Sequence, residues 1–370
     1  MTAKDNKGEN LDLAEIRSRI NAIDEQLQAL INERARFAQL VGVAKGELGA
    51  AVSYDRPERE AEVLRAVMDR NSGPMRDEEM LRLFREIMSA CLAQQEPLKI
   101  GFLGPEGTFT QTAVYKHFGH SVRALPFHTI DEVFEEVECG AADFGVVPIE
   151  NSTEGAVNNT LDMFLTSPLK IAGEIELRIE QHLMSRARGL DKIERICAHE
   201  QSLAQCRGWI RENLPHADLI GMSSNAAGAR RARDESGTAA IGPRVAAEVY
   251  DLELLVNNIE DRPDNATRFL VVGRDLLTPS GEDRTTILVS TSDTGAGAGV
   301  LHHLLQPLAE RGVSMTRIES RPSRRRNWDY VFFIDVEGHA EMSPVREALQ
   351  ELEARSSLFK VLGAYPKAIG

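Results

Sequence analysis

Along the first part of the chain, apolar residues recur at alternating spacings of three and four: Leu13, Ile16, Ile20, Ile23, Leu27, Leu30, Phe37, Val41 and Ala44. That period, held over four heptads, predicts one long helix packed as in a coiled coil. One seam position breaks it, because Arg34 stands where an apolar residue is expected between Leu30 and Phe37. Lys45 lies eleven residues on, about three helical turns, and returns to nearly the same face. Two cations on an apolar stripe suggest an anion site. Arg34 could instead fix an oligomer register or pair with a carboxylate such as Glu60, since a buried guanidinium needs a partner. Pro57 opens a second helix with Ala61, Leu64, Val67 and Met68 inward, and Ser72-Gly73-Pro74 ends it. A third helix carries Met80, Leu83, Phe84, Ile87, Met88, Cys91 and Leu92, with Gln95 on the same face. Two short helices cannot cover the long stripe, so a second copy is expected to do so, in an intertwined helical dimer.

After Pro97 the pattern changes. Strands are predicted at 100–103, 122–126, 144–148, 170–179, 195–199, 217–222, 239–242, 253–259 and 268–272. Helices between most of them imply largely parallel sheets, arranged as two lobes around a ligand cleft. Polar turns follow several strands. Gly104-Pro105-Glu106-Gly107 leads into Thr108, placed to cap a helix from Phe109, and Asn151-Ser152 leads into a helix over 157–165. Gln201-Ser202 and Ser224-Asn225 open two more helices, and Asn265-Ala266-Thr267-Arg268 enters a late strand. Ligands of open α/β sheets bind beyond the carboxyl ends of strands, where such turns gather. Taken singly, each of the later turns is better explained by ordinary helix capping, and the first equally well by a plain βα turn. The first offers backbone N–H groups to an anion, but it has neither the phosphate-loop spacing nor G-x-G-x-x-G.

From Arg284 the order is strand (286–290), helix (300–311), strand (315–320), strand (330–336), helix (344–353), strand (359–362). That βαββαβ order implies a ferredoxin-like sandwich. The first of its helices follows a Gly-rich stretch at 294–299, and its N-terminus could hold an amino-acid carboxylate or only dock. Three domains are therefore expected: all-α at 10–97, two-lobed α/β at 98–276 and α+β at 284–366.

The 370 residues suffice for separate cores, and a net charge of -14 argues against a general nucleic-acid binder. Cys91, Cys139, Cys197 and Cys206 show no metal or redox spacing and suit a reduced compartment. With no leader-like apolar region and no bilayer-length apolar run, a soluble cytoplasmic protein is expected, without metal, nucleic-acid or membrane partners.

Residues 10–97 resemble the small all-helical chorismate mutase domain. The resemblance implies a site shared between subunits, with Arg17 from the partner helix and with Arg34, Lys45, Arg59, Glu60 and Gln95 around chorismate. The rearrangement of this dicarboxylate to prephenate is pericyclic. Arginines would clamp the carboxylates while Lys45 and Gln95 hydrogen-bond the ether oxygen, with no nucleophile or base. Two positions depart from the family. The segment through Arg56 offers no counterpart to its acidic contact with the substrate hydroxyl, and Cys91 stands where Ser is often found.

The next region resembles prephenate dehydratase on five motifs in order: GPEGTFTQTA, VPIENSTEG, SLAQC, SSNAA and NATRF. This implies a periplasmic-binding-protein-like pair of lobes in which prephenate loses CO2 and water to give phenylpyruvate, without a cofactor. Thr267 is the implied hydroxyl donor to the leaving group, and Thr108, Asn151, Ser152, Gln201, Ser202 and Ser224 are the implied uncharged contacts. Arg268 is implied either to clamp a carboxylate or to brace the turn. The last region resembles the ACT domain, with Gly299-Val300-Leu301 for Gly-Ala-Leu and Glu319-Ser320-Arg321-Pro322 as an intact ESRP. The implied ligand is L-phenylalanine, bound between paired domains as a feedback inhibitor. The whole chain thus resembles the bifunctional enzymes that join these activities in phenylalanine biosynthesis. Two alternatives stay open: a sensor whose lobes bind a small acid without turnover, and a dehydratase whose helices only dimerise.

Overall fold

The computed structural model describes residues 12–47, 56–291, 299–323 and 330–369. Helix α1 (Leu13–Glu47) has the length its period predicts, and α2 (Pro57–Arg70) starts with its proline preorganised at the first helical position. Helix α3 (Asp77–Leu92) packs on α2 and on the stretch of α1 where Arg34, Ala35, Ala38 and Gly42 are half-buried. The rest of the stripe is bare. Leu13, Ile20, Leu27, Leu30 and Phe37 are 51–61% exposed.

The middle of the chain forms two lobes. The first takes β1 (Lys99–Leu103), α4 (Phe109–Phe118), β2 (Arg123–Phe127), α5 (Ile130–Glu138), β3 (Phe144–Asn151), β4 (Gly155–Ala156), α6 (Asn158–Thr166) and β5 (Lys170–Arg178). The second takes β6 (His182–Ser185), β7 (Arg195–His199), α7 (Glu200–Gln205), α8 (Arg207–Asn213), β8 (Asp218–Met222), α9 (Asn225–Asp234), β9 (Thr238–Gly242), α10 (Arg244–Tyr250) and β10 (Glu253–Val256). Strand β11 (Ala266–Gly273) then returns to the first lobe. The sheets run β2-β1-β3-β11-β5, with β4 on β3, and β10-β6-β9-β7-β8.

Both sheets are mixed, which corrects the expectation of largely parallel ones. The β1–β2, β1–β3, β7–β8 and β7–β9 pairs are parallel, whereas β11 and β6 oppose both of their neighbours. Each is the strand by which the chain enters one lobe from the other. It runs away from the cleft, while strands of βα units run toward it. Strand β6 was not expected at all, because its four residues are all buried and show no alternation. Strand β10 stops short of the expected 259, and Asn258 beyond it has φ 53°.

The last part contains β12 (Asp283–Thr291), α11 (Val300–Glu310), β13 (Met315–Pro322), β14 (Tyr330–Glu337), α12 (Val345–Arg355) and β15 (Ser356–Pro366). Its antiparallel sheet, β13-β14-β12-β15, carries both helices on one face through Ile287, Val289, Leu304, Leu349 and Leu352. The other face packs on the first lobe. Leu288, Val331, Phe333, Leu362 and Tyr365 share a core with Phe134, Phe164, Ile171 and Leu270. Each large side chain buried there stabilises the junction by about 1.5–3 kcal/mol. The approach is close: a Cβ on Gly363 would lie 2.3 Å from the Ile171 carbonyl oxygen.

Candidate active sites

The two crossings between lobes gather polar turns around a cleft of about 480 Å³. Thr108 caps α4, accepting from the Gln111 N–H at 3.4 Å, and Ser224 caps α9, accepting from the Ala227 N–H at 3.0 Å. Both helix N-termini therefore meet the cleft and add positive potential. Gly107, at φ 82°, lets this turn meet the other lobe. A Cβ there would lie 2.8 Å from the Tyr250 ring, whose hydroxyl donates to the Glu106 carbonyl at 3.0 Å.

Asn151 and Thr267 are register partners on β3 and β11, and Asn151 Nδ2 donates to Thr267 Oγ1 at 2.8 Å. The amide cannot turn over freely, because its Oδ1 accepts the N–H groups of Thr153 and Glu154 at 3.0 and 3.1 Å. The Thr267 hydroxyl is the acceptor in that bond, which leaves its own hydrogen for a ligand. Ser202 Oγ accepts from Gln181 Nε2 at 3.1 Å and Asn225 Nδ2 at 2.8 Å, and is left in the same state. Thr108, Gln201 and His199 also line the cleft. Ser152 sits beside it as a brace, donating to Asn265 Oδ1 at 3.2 Å and accepting from the Ala266 N–H at 3.0 Å.

Sequence reasoning missed Gln181. It is 1% exposed, lies in the crossing between β5 and β6, and lines the cleft with its Oε1 unpartnered. It stands between Glu180 and His182, so no local pattern singled it out. Arg268, by contrast, does not enter the cleft. Its guanidinium turns to the opposite face of the sheet and pairs with Glu174 and Asp335.

A second pocket, of about 650 Å³, lies among α1, α2 and α3. It brings together Arg34, Arg59, Glu60 and Gln95 against Phe37, Val41, Met88 and Leu92, with Cys91 in its wall. Arg17 is absent from it. Seventeen residues before Arg34, it stands about 25 Å away along the helix at 1.5 Å per residue. The Lys45 side chain lies outside the described residues. Gln95 Nε2 donates to the Ala38 carbonyl at 2.5 Å and its Oε1 is buried without a partner. Arg59 Nη1 meets Glu62 Oε2 at 2.6 Å. Two further cations join the lining, Arg56 and Arg85. Burial lowers the Arg85 pKa, an effect that Glu60 opposes. Arg85 lies seven residues before Leu92, on the face that carries the apolar stripe and Gln95, and that step was its signal.

In the last domain, Gly299 (φ 92°), Val300 and Leu301 start α11, while Glu319, Ser320, Arg321 and Pro322 lie on β13, the edge strand. The Arg321 side chain is engaged across the junction, donating to Asp162 Oδ1 of α6 at 3.0 Å. Among the described residues, no cluster of His, Cys, Asp and Glu could hold a metal, and no helix is long and apolar enough to cross a membrane.

Three families match consecutive parts of the chain: Chorismate mutase type II over residues 16–96, Prephenate dehydratase over 100–276 and ACT domain over 297–354. The chain is 51% identical over 362 residues to a bifunctional chorismate mutase/prephenate dehydratase of Pseudomonas aeruginosa, covering 96% of this chain and 98% of that one. A solved prephenate dehydratase from Arthrobacter aurescens, in complex with L-Phe, is 38% identical with a TM-score of 0.67, over 73% of this chain and 90% of that one. Another solved structure, described as GqqA, a novel type of quorum quenching acylase, is 31% identical with a TM-score of 0.67, over 73% of this chain and 98% of that one. The chain belongs to the bifunctional chorismate mutase/prephenate dehydratase family, has both enzymatic activities and carries an ACT domain.

Proposed function

We propose that the chain performs two consecutive steps of phenylalanine biosynthesis, chorismate to prephenate and prephenate to phenylpyruvate, in the cytoplasm and under feedback by L-phenylalanine. The hydrogen bond from Asn151 to Thr267 carries the dehydratase reading. It holds the hydroxyl oxygen in place and leaves the proton to be given to the departing oxygen. As the ring C–O bond breaks, the bond to the ring carboxylate breaks too. That electron pair completes the aromatic ring, and CO2 and water leave. An ordinary Thr is a weak acid, so its proton moves in concert with C–O cleavage and is replaced from solvent as the products leave. Such a donor is worth about 10²–10⁴ in rate. Thr108, Gln201, Ser202 and Ser224 offer uncharged contacts to the substrate carboxylates, with Ser152 bracing the turn. Local helix dipoles attract the dianion where a net charge of -14 does not.

In the helical domain Arg34 and Arg59 hold the chorismate carboxylates, Glu60 holds the pocket's polar rim, and Lys45 and Gln95 serve the ether oxygen. Arg17 comes from a second copy. The bare α1 stripe and the distance from Arg17 to the pocket support a homodimer. We assign the three roles to residues 10–97, 98–276 and 284–366. L-phenylalanine is placed between paired ACT domains, near Gly299, Val300 and Leu301 and the edge strand from Glu319 to Pro322. Arg321 serves that strand by anchoring it to Asp162.

Incubating the purified chain with chorismate alone, while following prephenate and phenylpyruvate, tests the whole reading. Phenylpyruvate should form and should fall when L-phenylalanine is added. Accumulating prephenate would leave the lobes as a sensor, and unconsumed chorismate would reduce the helices to a dimerisation device.

A further inference from the structure

The neighbours of the proposed catalytic pair point the other way. Successive side chains on a strand alternate between faces, and the register that sets Asn151 opposite Thr267 also sets Glu150 opposite Arg268. Both reach the ACT domain. Arg317 Nε donates to Glu150 Oε2 at 2.6 Å, and Arg268 Nη1 donates to Asp335 Oδ2 at 2.5 Å. Arg317 and Asp335 are themselves register partners, on β13 and β14. Four charges thus close a rectangle: one cross-strand pair from each sheet, joined by two ion pairs.

The Arg268 corner is nearly dry, with its side chain 17% exposed and that of Asp335 3% exposed. Arg268 also reaches Glu174 Oε2 at 2.8–3.0 Å and the Tyr365 hydroxyl at 3.1 Å. Thr286 Oγ1 donates to the other Asp335 oxygen at 2.7 Å. Burial works against the Arg268 charge, yet Tyr365, Asp335 and Glu174 outweigh it and raise its pKa.

We propose that Glu150 and Arg268 are positioning residues of the dehydratase, held by Arg317 and Asp335 so that the ACT domain sets the geometry of Asn151 and Thr267 from outside the lobe. The proposal rests on the reading of Thr267 as proton donor. Placement matters at this scale, since a displacement of about 1 Å can cost about 100-fold in rate. Strand β13 carries Arg317 and, two residues on, the segment assigned to phenylalanine. A shift of that strand reaches the turn beside Asn151 through one ion pair.

Full-length Asp335→Asn and Arg317→Gln test this, since neither side chain lines the cleft. The kcat for phenylpyruvate formation should fall about tenfold with the KM for prephenate within about twofold, as expected of lost positioning rather than lost binding. Mutase turnover of the same preparations should be unchanged, and the response to L-phenylalanine should weaken. Arg317→Lys should restore most of kcat. The double variant Glu150→Gln/Arg317→Gln should be no slower than either single one. Wild-type kcat and phenylalanine response in both Asp335→Asn and Arg317→Gln would overturn the proposal, while an inactive Thr267→Ala would still uphold the site. A fully active Thr267→Ala would overturn both.

Discussion

The two catalytic regions of this chain are built by different events. The polar groups that line the dehydratase cleft meet within a single chain, and the Asn151–Thr267 contact is pinned by strand register. The pocket among the helices gathers Arg34, Arg59, Glu60 and Gln95 from one chain, but Arg17 lies far along a helix whose apolar stripe is uncovered. Folding completes the first site. On the proposed homodimer, association would complete the second, so concentration and surface substitutions should separate activities that share one polypeptide.

The largest separation should come from Thr267→Ala. Phenylpyruvate formation should fall by about 10³, the usual worth of a positioned acid, while chorismate conversion by the same preparation stays at the wild-type rate. In the opposite direction, Arg34→Leu should lower prephenate formation by about 10²–10³ and leave dehydration of added prephenate intact. The dimer should persist by sedimentation, because Leu suits a helical seam better than Arg. A smaller effect is expected from Leu27→Glu on the bare stripe. Charges at a two-fold seam repel, so the dimer should weaken and mutase activity should become dependent on enzyme concentration. Dehydratase activity should stay within about twofold, because surface changes away from a site have small effects.

This contrast also explains what was legible in the sequence. The period of α1 and the order of the ACT strands are local patterns, and they read directly. The turns bearing Thr108 and Ser224 read as helix caps, whereas Asn151 and Thr267, which cap nothing, came from the resemblance to the prephenate dehydratase motifs. The direction of Arg268 did not, although its neighbour on the strand already occupied the cleft face. Two consecutive strand residues cannot share a face, so Thr267 in the cleft implied Arg268 outside it. The reversed entry of β6 and β11 depends on which lobe the chain is leaving, a long-range property that no window of sequence contains. Gln181 has no capping role and sits in a crossing, so nothing local marked it. Arg85 stands in a stripe that is apolar but for Gln95, and its seven-residue step to Leu92 was the mark it left.

The smallest expected effect belongs to the junction between the two regions. His117 sits on α4 near Arg85 and Lys116, with its ring 3.5 Å from the position a Cβ on Gly173 would take and edge-on to Phe118. Burial, then the charges of Arg85 and Lys116, push its pKa down from 6.5 to about 3. The unfolded chain takes up a proton near the ordinary value while the folded chain stays neutral. Stability is therefore full above that value and is lost as pH falls toward the folded one. One pH unit below the ordinary value this amounts to about 1.4 kcal/mol, or about 2–4 °C in Tm. Replacing His117 with Leu should flatten the dependence of Tm on pH between about 7 and 5, as measured by calorimetry, and an unchanged slope would assign the acid sensitivity elsewhere. Because the ring lies where α3 of the helical domain meets the first lobe, the acid loss in the wild type should be shared by both activities, which none of the site variants would produce.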